Sequence, residues 1–530
     1  MEQALPGALT TQNRKTSLDS SGVNAGGWRD RFLYFRGADA IKPGMTEIKR
    51  YVPLAAWIIV CLTLVCVAGR IIGLGYLPQD DALRHAAKAV SGKAWPEILV
   101  MRADFGMDPH PGWHAILGGI HRLRHCDVET LVVLPVAGLM LLFSVAGLAW
   151  LRRPEAWLGA LLAAAVFCPD FILRLSYGRP YLFTIAAYMA LLLVWSRVEK
   201  RSPGLWEMVA TVLLIAAAAW VHGSFYQLIL PAAGLFLAGR WRQAVWFGVL
   251  WAGGSVLGAE MTGHPWVFLD QCVRHLLGVF GGPTLTRQLV PELQPSNGGG
   301  LFLLALTAML FWRARASDGK ERHLLEPVFV MGVLGWILGL KVGRFWWDWG
   351  LPAFLIWLAR ELESQLQNLM PFDSGQRLSL TLALALAVFF GIGSDRDGRW
   401  TSNLTKQYLA QNDPALQGWL PENGGIIYSV DMTVFNDLFF KNPTAPWRYV
   451  LGFESALMLP EDLAVVRDVA WSYGDLRGYD PWLKKIRPQD RLIIPESWLP
   501  TTGLTRGGNI AELEWHRAAN GWWIGRLRRP

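Results

Sequence analysis

Charge is what this chain has least of. Of its 530 residues only 17% are charged and 52% are hydrophobic, whereas soluble domains carry about a quarter charged residues. With a mean hydropathy of +0.26, that places the chain among polytopic membrane proteins. Cysteine is scarce too: Cys61, Cys66, Cys126, Cys168 and Cys272. None stands in a CxxC pair or at a Cys/His ligand spacing, so neither a zinc site nor a disulfide framework is supported. Most fall in apolar runs, where a thiol packs as a small hydrophobe; only Cys126 and Cys272 sit in segments expected outside the membrane. The first fifty residues lack the short apolar core and small-residue cleavage site of a secretory signal. Polar and basic, with Ser20-Ser21 and Gly26-Gly27 pairs, residues 1–50 read as a disordered cytoplasmic tail. No internal repeat or low-complexity tract stands out.

What is present in excess needs care. A net charge of +8 does not call for nucleic acid as a partner, because membrane proteins concentrate Lys and Arg in cytoplasmic loops. The 28 tryptophans are not by themselves a sugar-binding signal, since indoles anchor at membrane interfaces.

A hydrocarbon core of about 30 Å takes roughly 20 apolar residues per helix. Apolar segments lie near 52–73, 129–150, 155–173, 180–196, 205–222, 225–239, 243–261, 300–313, 327–342, 349–361 and 378–394. They predict about 11 spans over 51–395, with the stretch around 340–360 open to a re-entrant reading. Alternate loops carry Arg152 and Arg153; Arg197, Lys200 and Arg201; Arg240 and Arg242; Arg313, Arg315, Lys320 and Arg322; then Arg360 and Arg377. With the N-terminus inside, every inside loop is basic, as membrane topology requires. The first outer loop is then 74–128, and the region from 396 to 530 lies outside.

That region changes character. Strand-like runs appear at Gly425–Val430, Arg448–Leu451 and Arg491–Ile494, with helical spacing over Asp431–Phe440 and Pro460–Trp471. Strands alternating with helices predict a small α/β layer. Ala511–Leu527 reads as a hairpin around Asn520-Gly521.

The outer segments carry the chemistry. Asp80-Asp81 follows the first span, and Ala82–Val90 has helical apolar spacing. One aspartate can serve as helix N-cap; two in succession cannot share one cap. A carboxylate ionised at a helix start can accept a proton or hold a cation, and Asp81 and His85, four apart, share a helix face. A second polar cluster runs from Asp104 to His114 and includes Asp108 and His110. Arg174 and Arg179, with Tyr177 and Tyr181, form an outer turn suited to a phosphate or a sugar, or to lipid headgroups. His222, in Trp220–Gln227, stands at another outer turn. The stretch from His264 to Asn297, with Asp270, Arg274, His275 and Arg287, reads as a loop that ends in a glycine run. Lys341–Trp349 places Arg344 beside Trp346, Trp347, Asp348 and Trp349, where the guanidinium could meet a lipid phosphate and the indoles a sugar or prenyl chain. An aromatic belt with an ion pair is the bland alternative.

One span, an acidic pair early in the first outer loop, an amphipathic helix and a later Asp108-Pro109-His110-Pro111 together resemble the GT-C superfamily of integral membrane glycosyltransferases. The resemblance covers about residues 50–395. It implies a sugar donor linked to a polyprenyl phosphate, a glycan, lipid or protein acceptor, and a first-loop aspartate acting as catalytic base or metal ligand. That role maps onto Asp80 and Asp81, with Mg2+ or Mn2+ as the divalent cation if one is bound by either. His85, Asp108, His110, Arg174, Arg179, His222, Arg344, Trp346 and Trp347 are the expected substrate-binding residues. Asp108–Trp113 looks like the His-Pro-Pro element of some bacterial members, with Gly112 as the departure. The expected setting is a bacterial inner membrane, N-terminus cytoplasmic and C-terminal region periplasmic. A lipid-linked glycan flippase or transporter ranks lower, because the spans are nearly free of interior charge and no repeat is evident. A multi-span polysaccharide polymerase or ligase is the third reading.

Overall fold

The structure, a computed structural model, describes residues 43–198, 201–281, 291–296, 299–316, 326–472, 475–499, 510 and 512–528. Residues Tyr51–Pro530 form one compact unit. Up to residue 42 the expected disordered tail lies outside the described residues, and 43–50 already belong to the first helix, Pro43–Gly73. Arg287 and Asn297-Gly298 also lie outside them.

A helix occupies every one of the eleven apolar segments. Four are long and apolar enough to cross a bilayer: Tyr51–Gly73, Val128–Leu148, Leu205–His222 and Gly375–Gly393. Two more qualify if each bent pair counts as one span, Glu155–Phe167 with Pro169–Leu175 (115°) and Trp241–Glu260 with Pro265–Leu277 (113°). The expected continuous span over 155–173 is therefore broken at Pro169, which lacks the N–H a helix interior needs. The remaining short helices, such as Tyr181–Ser196 and Pro327–Gly339, lie near or below the usual spanning length. Residues 265–281, expected as loop, are a helix, Pro265–Gly281.

At the basic end of the bundle, Arg377 and Glu155 form an ion pair with no solvent exposure (Nε–Oε1 2.6 Å). It ties Gly375–Gly393 to Glu155–Phe167. Arg153 donates to the carbonyls of Leu366 (3.0 Å) and Met370 (2.7 Å), closing the end of helix Leu351–Leu369.

The C-terminal region carries a five-stranded mixed sheet, order β2-β1-β3-β5-β4 among the described residues: β1 Ile426–Tyr428, β2 Arg448–Tyr449, β3 Arg491–Pro495, β4 Leu513–Arg517 and β5 Trp522–Leu527. β1 is parallel to β2 and β3, while β3, β5 and β4 run antiparallel, with Ile493 opposite Ile524. Helices Met432–Lys441 and Pro460–Trp471 follow β1 and β2. The hairpin turns at Asn520-Gly521, where Gly521 takes a φ of +82°.

The segment between the first two long apolar helices, residues 74–127, docks on this sheet. Leu99 pairs in parallel with Tyr449, the Val100 N–H donates to the Tyr449 carbonyl (2.8 Å), and the Arg102 N–H donates to that of Leu457 (2.9 Å). Trp95, Ile98, Leu99 and Phe105 share one apolar cluster with Val434, Phe435, Phe439 and Trp447. Such a cluster excludes water along the whole contact. It therefore holds helix Asp81–Ser91 between the bundle and the C-terminal region.

Candidate active site

Asp80 occupies the N-cap position of helix Asp81–Ser91, yet its side chain makes no capping bond. It turns instead to Arg179, which reaches both carboxylate oxygens (Nε–Oδ1 3.0 Å, Nη2–Oδ2 2.5 Å). Asp81 accepts from Arg84 Nε at 2.8 Å, and its other oxygen is 3.6 Å from Arg179. Both aspartates line a cavity of ≈ 230 Å³.

Behind them runs an alternating chain of charge. Glu292 accepts from Arg179 (2.9 Å) and Arg174 (2.7 Å), Arg174 donates to Asp348 (2.9 Å), and Asp348 accepts from Arg344 (3.1 Å). Four guanidiniums (Arg84, Arg174, Arg179, Arg344) thus face four carboxylates (Asp80, Asp81, Glu292, Asp348). Of these contacts the one between Arg179 and Asp80 is bidentate, a geometry that gives strong charge-assisted bonds. Burial pushes the Asp80 carboxyl up despite Arg179. For Asp81 burial works the same way, but Arg84 and Arg179 outweigh it and hold the group below the usual carboxylate range. Glu292 is likewise held well down, against its burial, by Arg174, Arg179 and Arg344.

A second cluster is imidazole. His85, His110 and His222 line the cavity, with ring centroids 4.9 Å apart for His85–His110 and 5.3 Å for His110–His222. Gly112, the departure noted in the Asp108–Trp113 run, has a physical reason. A Cβ there would lie 2.9 Å from the Trp220 carbonyl carbon and inside its ring, so only glycine lets helix Pro111–Arg124 approach helix Leu205–His222. Gly223 ends the latter helix at φ +54°, with the Pro109 oxygen 2.5 Å from where a Cβ would sit. These two close approaches bring His110 beside His222.

The far wall comes from the C-terminal region: Met432, Asn436, Phe453, Glu454 and Leu457. Glu454 pairs with His275 Nε2 at 2.7 Å, so helix Pro265–Gly281 meets that wall directly. Gln271 on the same helix exchanges two hydrogen bonds with the Met107 backbone.

Of the residues expected from sequence, Asp80, Asp81, His85, His110, Arg179, His222 and Arg344 converge on this cavity. Arg174 joins them through Glu292, and Asp108 through His114 (2.6 Å). Trp346 and Trp347 are not brought to it. Trp346 is fully buried, with Gly299 and Gly339 against its ring and backbone, in the wide π turn Trp346–Gly350. Trp347 packs on the apolar core. Cys126 and Cys272 are free thiols. Glu292, Arg84 and Glu454 were not singled out from sequence, and His114 was named only as the end of the Asp104–His114 cluster. Glu292 is an isolated acid between Pro291 and Leu293, and only a count of buried arginines seeking counter-charge points to it.

A divalent cation on Asp80 or Asp81 would have to displace guanidiniums that engage both oxygens of Asp80, one of Asp81 and one of Glu292, with the rest of its oxygen shell drawn from water or a substrate phosphate. Among the described residues no group of three His, Cys, Asp or Glu side chains could hold a metal.

No protein-family model matches the chain, and no curated protein matches it in sequence. Solved structures do. The apo oligosaccharyltransferase of Archaeoglobus fulgidus superposes with a TM-score of 0.54 at 12% identity, over 84% of this chain and 70% of that one. The same enzyme, AglB, in complex with an inhibitory peptide and a dolichol-phosphate gives 0.54 at 12%, over 91% and 75%. The chain shares the fold of these oligosaccharyltransferase structures. ArnT from Cupriavidus metallidurans, apo, matches at 0.49 and 15%, over 88% and 97%.

Proposed function

We propose that the protein is a membrane glycosyltransferase that moves a sugar from a polyprenyl-phosphate donor to a glycan, lipid or protein acceptor at the outer membrane face. One observation carries the reading. The cavity that holds Asp80 and Asp81 also presents Arg84, Arg179 and Arg344, is walled by Met432, Asn436, Phe453, Glu454 and Leu457 of the C-terminal region, and belongs to a fold whose archaeal example has been solved with a dolichol-phosphate.

Displacing a phosphate from an anomeric carbon requires cationic groups fixed where charge develops on the leaving oxygen. Arg179 and Arg344 are suited to that, with Arg174 steadying them through Glu292 and Asp348. Asp80 and Asp81 are the carboxylates of the reaction centre, which set the direction of Arg179 and Arg84 beside the reacting sugar. A guanidinium can exchange a carboxylate for a phosphate at little geometric cost because both present paired oxygens. The C-terminal wall, Asn436 to Leu457, faces the acceptor. The basic end of the bundle would face the cytoplasm of a bacterial inner membrane, leaving the sheet outside with eleven crossings in all.

The test is a panel of polyprenyl-monophosphate sugars offered to purified full-length protein in nanodiscs. Release of polyprenyl phosphate with at least one donor is expected, and its loss in Asp80→Asn/Asp81→Asn. A carrier that flips these lipids without cleaving them would contradict the reading.

A further inference from the structure

Three side chains behind the cavity form a line. One oxygen of Asp108 accepts from the His110 N–H (3.0 Å) and Trp95 Nε1 (3.2 Å), and the other lies 2.6 Å from His114 Nδ1. His114 Nε2 lies 2.8 Å from His85 Nδ1. His85 is 1% exposed and His114 8%, yet His85 lines the cavity, one helical turn beyond Asp81.

The proton positions follow from this network. Asp108 is ionised: His114 and the His110 N–H hold it well below the usual carboxylate range against its burial. It must therefore accept from His114 Nδ1–H. Burial holds the His114 imidazole below its ordinary value, against the pull of Asp108, so at neutral pH it carries that single proton and its Nε2 is a lone pair. His85 Nδ1–H then donates to it. Burial, with Arg84 next, keeps His85 neutral as well, and a neutral imidazole protonated on Nδ1 has a lone pair on Nε2. That nitrogen makes no hydrogen bond among the described residues. The carboxylates of the pair, by contrast, are engaged by guanidiniums.

We propose that Asp108, His114 and His85 form a proton relay, and that His85 Nε2 takes the proton of the acceptor nucleophile. This rests on the glycosyltransferase reading above. As the nucleophile bonds to the anomeric carbon, the carbon–oxygen bond to phosphate breaks and its electron pair leaves with the polyprenyl phosphate. The nucleophile's proton passes to His85 Nε2. The Nδ1 proton of His85 shifts toward His114, whose growing positive charge faces ionised Asp108. Asp81, Arg84 and Lys88 on the same helix, His110, His114 and Asp108 from the next segment, His222 from the helix opposite and Glu454 from the C-terminal wall make up the charged and titratable surroundings of the relay. The assignment of Asp108 and His114 as positioning residues and His85 as base resembles the logic of carboxylate-oriented imidazoles in other transferases and hydrolases.

Two measurements test it on full-length protein in nanodiscs. The first is 15N NMR of histidine-labelled protein, with the His85 signal identified by its loss in His85→Gln. A neutral ring protonated on Nδ1 at pH 7 is expected; an imidazolium, or a ring protonated on Nε2, overturns the relay. The second is donor turnover, read as free sugar released to water from a polyprenyl-monophosphate sugar. His85→Gln should lower it on the order of 10²- to 10⁴-fold while binding of the polyprenyl monophosphate stays within about twofold. His114→Gln should show a smaller loss of the same kind, and added imidazole should restore part of the activity of His85→Ala. Turnover unchanged in His85→Gln, or lost in proportion to binding, sinks the base assignment alone. Wild-type protein that turns over no donor sinks the glycosyltransferase reading and the base role with it.

Discussion

Replacing Arg179 by alanine removes one guanidinium from three carboxylates, and the structure says which of them suffers. Asp81 keeps Arg84 (2.8 Å) and Glu292 keeps Arg174 (2.7 Å). Asp80 has only Arg179 as a side-chain partner among the described residues, so it alone becomes an uncompensated, largely buried acid. Breaking a buried pair from one side costs about 3–5 kcal/mol. The side chains here keep 15% and 27% exposure, which puts the loss at the lower end, about 3 kcal/mol. Asp80→Asn should relieve much of that, giving a double-mutant coupling of about 2 kcal/mol. The sign with pH is also set. Burial already raises the Asp80 carboxyl, and without Arg179 it rises further, so the folded state binds the proton more tightly than the unfolded one. Stability of Arg179→Ala should then fall as pH climbs from about 4, and its deficit against wild type should shrink on acidification. The assay is equilibrium unfolding in mixed micelles titrated with a denaturing detergent, read by tryptophan fluorescence. Single losses that add to within about 0.5 kcal/mol in the double variant would refute the reasoning.

Gly112→Ala should separate helix Pro111–Arg124 from Trp220 and pull His110 from His222, destabilising the fold by about 1–3 kcal/mol; thermal unfolding in detergent checks it. Arg377→Ala leaves Glu155 without its fully buried partner and should cost about 3–5 kcal/mol, read in the same assay, with Arg377→Ala/Glu155→Gln recovering much of it. In the C-terminal region, burial pushes the Asp437 carboxyl up to about 6, despite Lys406. A raised carboxyl destabilises the fold as pH rises through the window from about 4 to 6, by on the order of 2–3 kcal/mol, and Asp437→Asn should flatten that part of the stability profile.

Much of this architecture was legible in the sequence because the signals were local. The turn at Asn520-Gly521, the runs Gly425–Val430 and Arg491–Ile494, and the apolar blocks of the bundle each act over a few residues. Asp80 and Asp81 were conspicuous for the same reason. What escaped was set by distance. Glu292 has meaning only beside Arg174 and Arg179, more than a hundred positions away, and His114 only through His85, 29 positions back. Trp346 and Trp347 misled because an indole at a membrane boundary reads alike whether it faces lipid, sugar or core. Gly299 and Gly339, which close on Trp346, decide it, and neither glycine announces its partner. The helix Pro265–Gly281 carries Asp270, Gln271, Arg274 and His275 on an otherwise apolar stretch, and that polarity reads as loop until Met107 and Glu454 are seen to pair with Gln271 and His275.

The proposed function has this cavity cleave the bond between a sugar and a polyprenyl phosphate. The direct measurement is mass-spectrometric detection of polyprenyl phosphate and of sugar-bearing product when the purified protein meets a panel of polyprenyl-monophosphate sugars. Product is expected with at least one donor, abolished in Asp80→Asn/Asp81→Asn while polyprenyl-phosphate binding persists. Product formed at the wild-type rate by that double variant would contradict it.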